Sequence, residues 1–185
     1  LIFTTLFLVG SVALGLILAL SLDRGVRGLP FFRNVFLFPM AVSFVVAGVA
    51  WQWVFNPASG INQLINKVGI NRLLEQMGYG PFAPNWIADP TVAFALNSYL
   101  ERLSPVFEPL RVKVGLPLAL IPVVIAAAWQ LSGFAMAMFL AGLGTIPDEL
   151  REAARIDGAS EIQIYRHIIV PLLRPMTISS LIILG

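Results

Sequence analysis

Apolar and charged positions alternate along this chain in long blocks, and the block lengths predict helices that cross a membrane. Residues 1–22 carry no charge; at about 1.5 Å per residue they reach about 33 Å, enough for a hydrocarbon core of about 30 Å. Asp23 to Arg33 is a short basic stretch with Arg24, Arg27 and Arg33. A second uncharged run, residues 34–55, contains Pro39 and ends in Trp51, Trp53 and Phe55, the aromatic belt expected where a span meets the interface. Residues 118–144 form a third span with several residues to spare, and residues 172–185 begin a fourth. Ser11, Gly15 and Ala19, and again Gly133, Ala137 and Ala141, recur every four residues. That small-residue spacing predicts close helix contacts in lipid.

The blocks between these spans differ in kind. Residues 56–117 are polar and rich in Pro, Gly and Asn. Within them Ile61, Leu64, Ile65 and Val68, then Ile70, Leu73, Leu74 and Met77, repeat at helical spacing, each run closed by a glycine. They predict short amphipathic helices lying on the membrane or capping the bundle; a third such stretch is expected over residues 96–110. Residues 145–171 hold eight acidic or basic side chains between Pro147 and Pro171. At about 2.5 to 3.5 kcal/mol each, burying them in hydrocarbon would cost on the order of 20 kcal/mol, so this insert must lie outside the bilayer. Thr145 with Asp148, and Ser160 with Gln163, suggest two capping boxes. The insert therefore reads as two short helices hinged at Asp157-Gly158. Three arginines within residues 23–33, against five basic residues spread over 56–113, place the former on the cytoplasmic side, and two crossings later the insert shares that side.

Composition agrees with the pattern. The 185 residues are 58% hydrophobic and 12% charged, with a mean hydropathy of +0.85; ordinary soluble domains carry about a quarter charged residues. The fold class expected is all-α, a polytopic helical membrane protein. Zero cysteines and one histidine, His167, exclude thiolate or multi-histidine metal sites and a cysteine nucleophile. The net charge of +2, with arginines near span ends, gives no basic stripe for nucleic acid. No G-x-x-x-x-G-K-[ST] loop is present, so the chain does not bind ATP by that route. No ionisable residue lies within the uncharged spans, leaving no proton or cation relay. A start inside an apolar run without Met, and an end about fourteen residues past Pro171, suggest an internal fragment. Gln52 and Gln130, with Trp51 and Trp129 beside them, are the polar and stacking candidates for a solute path. Each also has a structural reading as a belt, packing or interhelical hydrogen-bond residue.

Glu152-Ala153-Ala154, Gly158, and then Ile168, Val170 and Pro171 stand at fixed distances within IPDELREAARIDGASEIQIYRHIIVPLLR. The pattern resembles the signature loop of the permease subunits of binding-protein-dependent ABC importers, with Val170 where the family has Leu. Phe31-Phe32-Arg33, Trp51 to Pro57, Trp86 to Pro90 and Phe139 to Leu143 extend the resemblance to the sugar (maltose-type) and glycerol-phosphate permeases. Residues 91–115 are surplus to the usual family spacing. The resemblance implies a type I importer transmembrane domain, here partial, in the cell membrane. It also implies a coupling helix in which Glu152, Ala153, Ala154, Asp157 and Gly158 dock an ATPase. The partners it implies are ABC ATPase subunits, which hold the ATP and Mg, a second permease, an external solute-binding protein, the lipid bilayer and a sugar. No catalytic residue and no cofactor are expected in this chain. The alternatives are the same machinery carrying glycerol-phosphate or another polar solute, or a membrane scaffold without transport.

Overall fold

A computed structural model describes residues 1–23, 28–87, 92–95 and 115–185. Residues 96–110, where a third amphipathic stretch is expected, lie outside the described residues, as do Arg24 and Arg27 and most of residues 91–115. The helices are α1 (Ile2–Leu22), α2 (Leu29–Ala41), α3 (Phe44–Val54), α4 (Ile61–Val68), α5 (Ile70–Gln76), α6 (Leu120–Leu143), α7 (Asp148–Ile156), α8 (Glu161–Leu172) and α9 (Arg174–Leu184). The strands among the described residues are an antiparallel pair, β1 (Val92–Ala95) with β2 (Gly115–Pro117), in which Val92 faces Pro117 and Ala95 faces Gly115. Two helices, α1 and α6, are each long and apolar enough to cross a membrane. The pairs α2 with α3 and α8 with α9 qualify only as broken spans.

The chain divides into two compact units. One comprises residues 3–43 and 127–185, the other residues 44–126, so the division falls inside α6. In the first unit α6 is the central element, and it meets its neighbours through small residues because only these let helix backbones approach closely. Along α1, Ser11, Gly15 and Ala19 are all buried. A Cβ added at Gly15 would lie 2.5 Å from the Cβ of Ala135 and 2.7 Å from the Met136 nitrogen. On another face of α6, a Cβ at Gly133 would lie 2.5 Å from the carbonyl oxygen of Phe36 in α2. Further along that expected stripe Ala137 is half-buried and Ala141 exposed. Around these contacts Val12, Leu22, Met136, Phe139, Leu143, Ile164, Ile169 and Leu173 form the core.

The second expected span differs from the sequence pattern. It begins earlier, at Leu29, with Pro30 at a helix start where its missing N–H costs nothing, and it is interrupted at Val42, whose φ/ψ of −81/136 is extended. Pro39 lies three residues before the break. The second helix of the insert, α8, meets α9 at a bend of 55°. Pro171 has no N–H to donate, and just before it α8 widens into a π-helical turn over Tyr165–Ile169, where the Val170 N–H reaches back to the Tyr165 carbonyl.

In the second unit the short helices form where the periodicity places them, with Gly69 closing α4 at φ 84. Their apolar faces point away from the unit: Leu64, Val68, Leu73 and Met77 are exposed, whereas Asn62 and Asn71 are buried. The two asparagines hold the returning segment. Asn62 Nδ2 donates to the Pro84 carbonyl (3.0 Å), Trp86 Nε1 donates to Asn62 Oδ1 (2.8 Å), and the Phe82 N–H donates to Asn71 Oδ1 (2.9 Å).

The close approach at Gly15 yields a direct expectation. In the detergent-solubilised full-length protein, Gly15→Val should lower thermal stability by about 1 to 3 kcal/mol through overpacking. Gly144→Ala, whose added Cβ would make only ordinary contacts at 3.5 Å, should leave the melting midpoint within about a degree.

Candidate functional site: the charged insert and an aromatic cavity

Residues 145–171 fold as a helix, a tight turn and a second helix. Asp148 and Glu149 occupy the first turn of α7 and Arg155 its last, the charge order that favours a helix dipole. The helix ends in a Schellman motif: Gly158, at φ 82, donates its N–H to the Arg155 carbonyl (3.1 Å), and the Ala159 N–H reaches the Ala154 carbonyl (2.9 Å). A left-handed residue is required at that place, which accounts for glycine. The next helix starts with a complete capping box, in which the Gln163 N–H donates to Ser160 Oγ (3.4 Å) and the Ser160 N–H to Gln163 Oε1 (2.8 Å). The other expected box is not formed. Thr145 Oγ1 instead donates to the Gly142 carbonyl (2.7 Å), satisfying the end of α6, and Pro147 occupies the α7 N-cap without a side-chain cap.

Of the residues expected to meet an ATPase, Glu152, Ala153, Asp157 and Gly158 are exposed. Ala154 is not: it is buried in the unit's own core with Ile164 and Leu173. Its small side chain therefore lets α7 lie close to its own bundle, and the α7 surface left for a partner is the Glu152, Ala153 and Ile156 side. Ile156 is 87% exposed, an apolar residue at the turn that the motif does not single out. Leu150 and Ile162 are exposed too, whereas Ile169 is fully buried.

A polar clasp fixes this insert, and its members are not apparent from the motif. Asp23, the residue after α1, accepts at one oxygen, Oδ2, from Arg151 Nη1 (2.8 Å) and from the Tyr165 hydroxyl (2.8 Å). Both ion-pair side chains are largely buried, at 15% and 12% exposure. The Arg151 guanidinium also lies over the Tyr165 ring, 5.9 Å from its centroid. The hydrogen bond donated to Asp23 raises the Arg151 pKa above its ordinary value, against the opposing effect of burial. A raised arginine pKa means that the charged form, and whatever stability it contributes, is constant through the physiological range. Arg155 pairs with Glu161 (2.9 Å) across the turn at the exposed surface, and that hydrogen bond raises its pKa as well. Such an exposed pair stabilises little.

The expected solute-path residues divide between the two units. In the second, Trp51 and Gln52 line a cavity of about 480 Å³ together with Phe55, Trp86, Pro122 and Val123. That volume falls within the range of about 300 to 1,000 Å³ typical of small-molecule sites. Trp51 stacks on Phe55 at 5.6 Å, and Phe55 meets Trp86 at 5.7 Å. Trp86 and Phe55 are wall residues that the pattern of spans does not reveal, although Trp86 stands out as an indole in a polar stretch. In the first unit Trp129 is 36% exposed, and Gln130 is buried, with Nε2 donating to the Val42 carbonyl (2.7 Å). Gln130 therefore caps the backbone group released where α2 stops, a structural role of the kind that a buried amide in a bundle most often has. His167 is exposed, with Nδ1 3.1 Å from the Gln163 carbonyl. Among the described residues no cluster of three His, Cys, Asp or Glu could hold a metal.

Comparison with known proteins agrees with this architecture. The chain is 36% identical over 182 residues to a xylose/arabinose import permease of Haloferax volcanii, covering 98% of this chain and 45% of that protein. It is 33% identical over 182 residues to an sn-glycerol-3-phosphate transport system permease of Agrobacterium fabrum, covering 98% of this chain and 50% of that one. The chain thus spans about half the length of the curated relatives it matches. A crystal structure of a bacterial alginate ABC transporter, in complex with an alginate pentasaccharide-bound periplasmic protein, shares the fold with a TM-score of 0.62 at 18% identity, covering 98% of this chain and 51% of the other. Residues 11–184 match the family model described as the binding-protein-dependent transport system inner membrane component, and the chain belongs to that family.

Proposed function

We propose that this chain forms part of the transmembrane permease of an ATP-driven importer and that its solute is a carbohydrate. The single observation that carries the reading is the insert: a motif-bearing helix, α7, presents Glu152, Ala153 and Ile156 outward beside a rigid glycine turn. Ala154 anchors the same helix to the spans from behind. A helix built in this way can take a push from a docked partner and pass it to α6 and α9. The energy comes from ATP and Mg held by partner ATPase subunits. The permease contributes no covalent chemistry; a second permease completes the pathway, and an external solute-binding protein delivers the cargo. The insert faces the cytosol, and α4 and α5 face outward.

The carbohydrate assignment is supported by the cavity. Its walls offer indole and phenyl faces and one exposed amide, Gln52, and no lysine or arginine among the described lining residues. Stacking surfaces with a hydrogen-bonding amide suit the apolar C–H faces and hydroxyls of a sugar. A glycerol-phosphate would call for a guanidinium or ammonium partner. That second reading is favoured by relatives such as the sn-glycerol-3-phosphate permease of Agrobacterium fabrum.

Three variants of the full-length assembly test these roles. Glu152→Lys should leave the protein in the membrane yet reduce solute uptake at least tenfold and weaken co-purification of the ATPase subunits; normal uptake would remove the docking role. Gly158→Asn, which tolerates left-handed backbone, should keep several-fold more transport than Gly158→Val. If both retain full uptake, the turn is not part of the coupling path. For the solute path, Trp51→Ala should raise the sugar concentration giving half-maximal uptake by roughly tenfold, the loss of about 1.4 kcal/mol of stacking. An unchanged value would dissociate the cavity from the cargo.

A further inference from the structure

We propose that Asp23 is a positioning residue for transport: its carboxylate fastens both helices of the insert to the end of the first span, so that movement of the insert is passed to α1. The proposal rests on the coupling role of the insert given above and names a part of it that the signature motif does not contain.

Three segments far apart in sequence meet on one oxygen. Asp23 ends α1, Arg151 lies in α7 immediately before Glu152, and Tyr165 begins the π-helical turn of α8. Both donors converge on Oδ2 at 2.8 Å. The two insert helices are already joined to each other by the Gly158 turn and by the shared packing of Ala154 and Ile164. Asp23 supplies the polar link from the insert to the first span. Apolar packing of Ala154, Ile164 and Leu22 holds the same elements together, but such packing is tolerant of sliding. A charge-assisted bond between largely buried groups fixes direction and register.

The bond is also made in a way that allows it to be released. Arginine and carboxylate commonly pair through two parallel hydrogen bonds; here Arg151 uses Nη1 alone, and its buried Nε has no partner among the described residues. A polar cavity of about 460 Å³ beside the pair, lined by Asp148, Glu152, Arg155 and Glu161 as well as the clasp residues, leaves room for Arg151 to shift. The link is therefore strong enough to transmit a displacement, with two hydrogen bonds to one carboxylate oxygen to break if the insert rotates.

The experiment uses the full-length transporter with its ATPase subunits and binding protein in proteoliposomes, and measures solute imported per ATP hydrolysed. Asp23→Ala should lower that ratio by roughly fivefold or more, leaving the half-maximal solute concentration and ATPase co-purification unchanged. Asp23→Asn, which keeps an acceptor for Tyr165 without the charge, should fall between. The exchanged pair Asp23→Arg with Arg151→Asp should recover part of the loss, which a merely destabilised fold would not do. An unchanged ratio in Asp23→Ala overturns the proposal. So does a loss that the exchanged pair fails to relieve while uptake and hydrolysis decline in parallel with protein stability. Glu152→Lys, assayed alongside, separates the two levels. If it retains uptake, the importer reading fails; if it uncouples as expected and Asp23→Ala does not, only the clasp fails.

Discussion

Charge is excluded from hydrocarbon at a cost of a few kcal/mol per side chain, and the eight charged residues between Pro147 and Pro171 make that constraint decisive for this chain. They force the backbone out of the bilayer between α6 and α9, but the excluded segment does not become a loose loop. Its backbone groups are closed by a Schellman motif at Gly158 and a capping box at Ser160. Its apolar residues Ala154, Ile164 and Ile169 turn back into the core. The result is a compact charged body resting on the ends of the spans, with one face committed to its own chain and the other open.

The spans beneath it follow from a related constraint. Lipid tails give helices no hydrophobic reason to associate, so contact depends on close approach and on satisfying polar groups. Gly15 against Ala135 and Gly133 against the Phe36 carbonyl supply the approach. Gln130 satisfies the Val42 carbonyl at the point where α2 breaks. A central helix with small residues on several faces can hold its neighbours tightly and still receive a push from the insert that continues from its end. The Asp23 clasp adds a link to α1 by a different route.

Much of this was legible in the residues, and the limits have physical causes. Uncharged length located α1 and α6 because transfer cost depends on composition alone. Ser160 with Gln163, and Gly158, were readable because caps are local. Thr145 was misleading for the same reason: its hydroxyl had two local acceptors in reach, and the Gly142 carbonyl, left open at the end of α6, took it. The break at Val42 was not foreseen, since Pro39 marks a weak point without fixing where the chain yields. Ala154 read as a docking residue because the motif shows spacing but not which side of a helix is covered. The Asp23 clasp joins residues 128 and 142 positions apart, and no periodicity or spacing rule connects such partners. Gln130 was visible as a polar residue in an apolar helix, but only the fold shows which carbonyl it reaches.

The proposed coupling role of the insert requires it to face the cytosol and its ATPase. The chain has no cysteine, so single replacements report cleanly. In intact cells a membrane-impermeant maleimide should label Ser59→Cys and leave Asp157→Cys untouched. In inside-out vesicles the order should reverse, and added ATPase subunits should slow labelling of Asp157→Cys at least severalfold. Labelling of Asp157→Cys from outside intact cells, or a rate indifferent to the ATPase subunits, would contradict it.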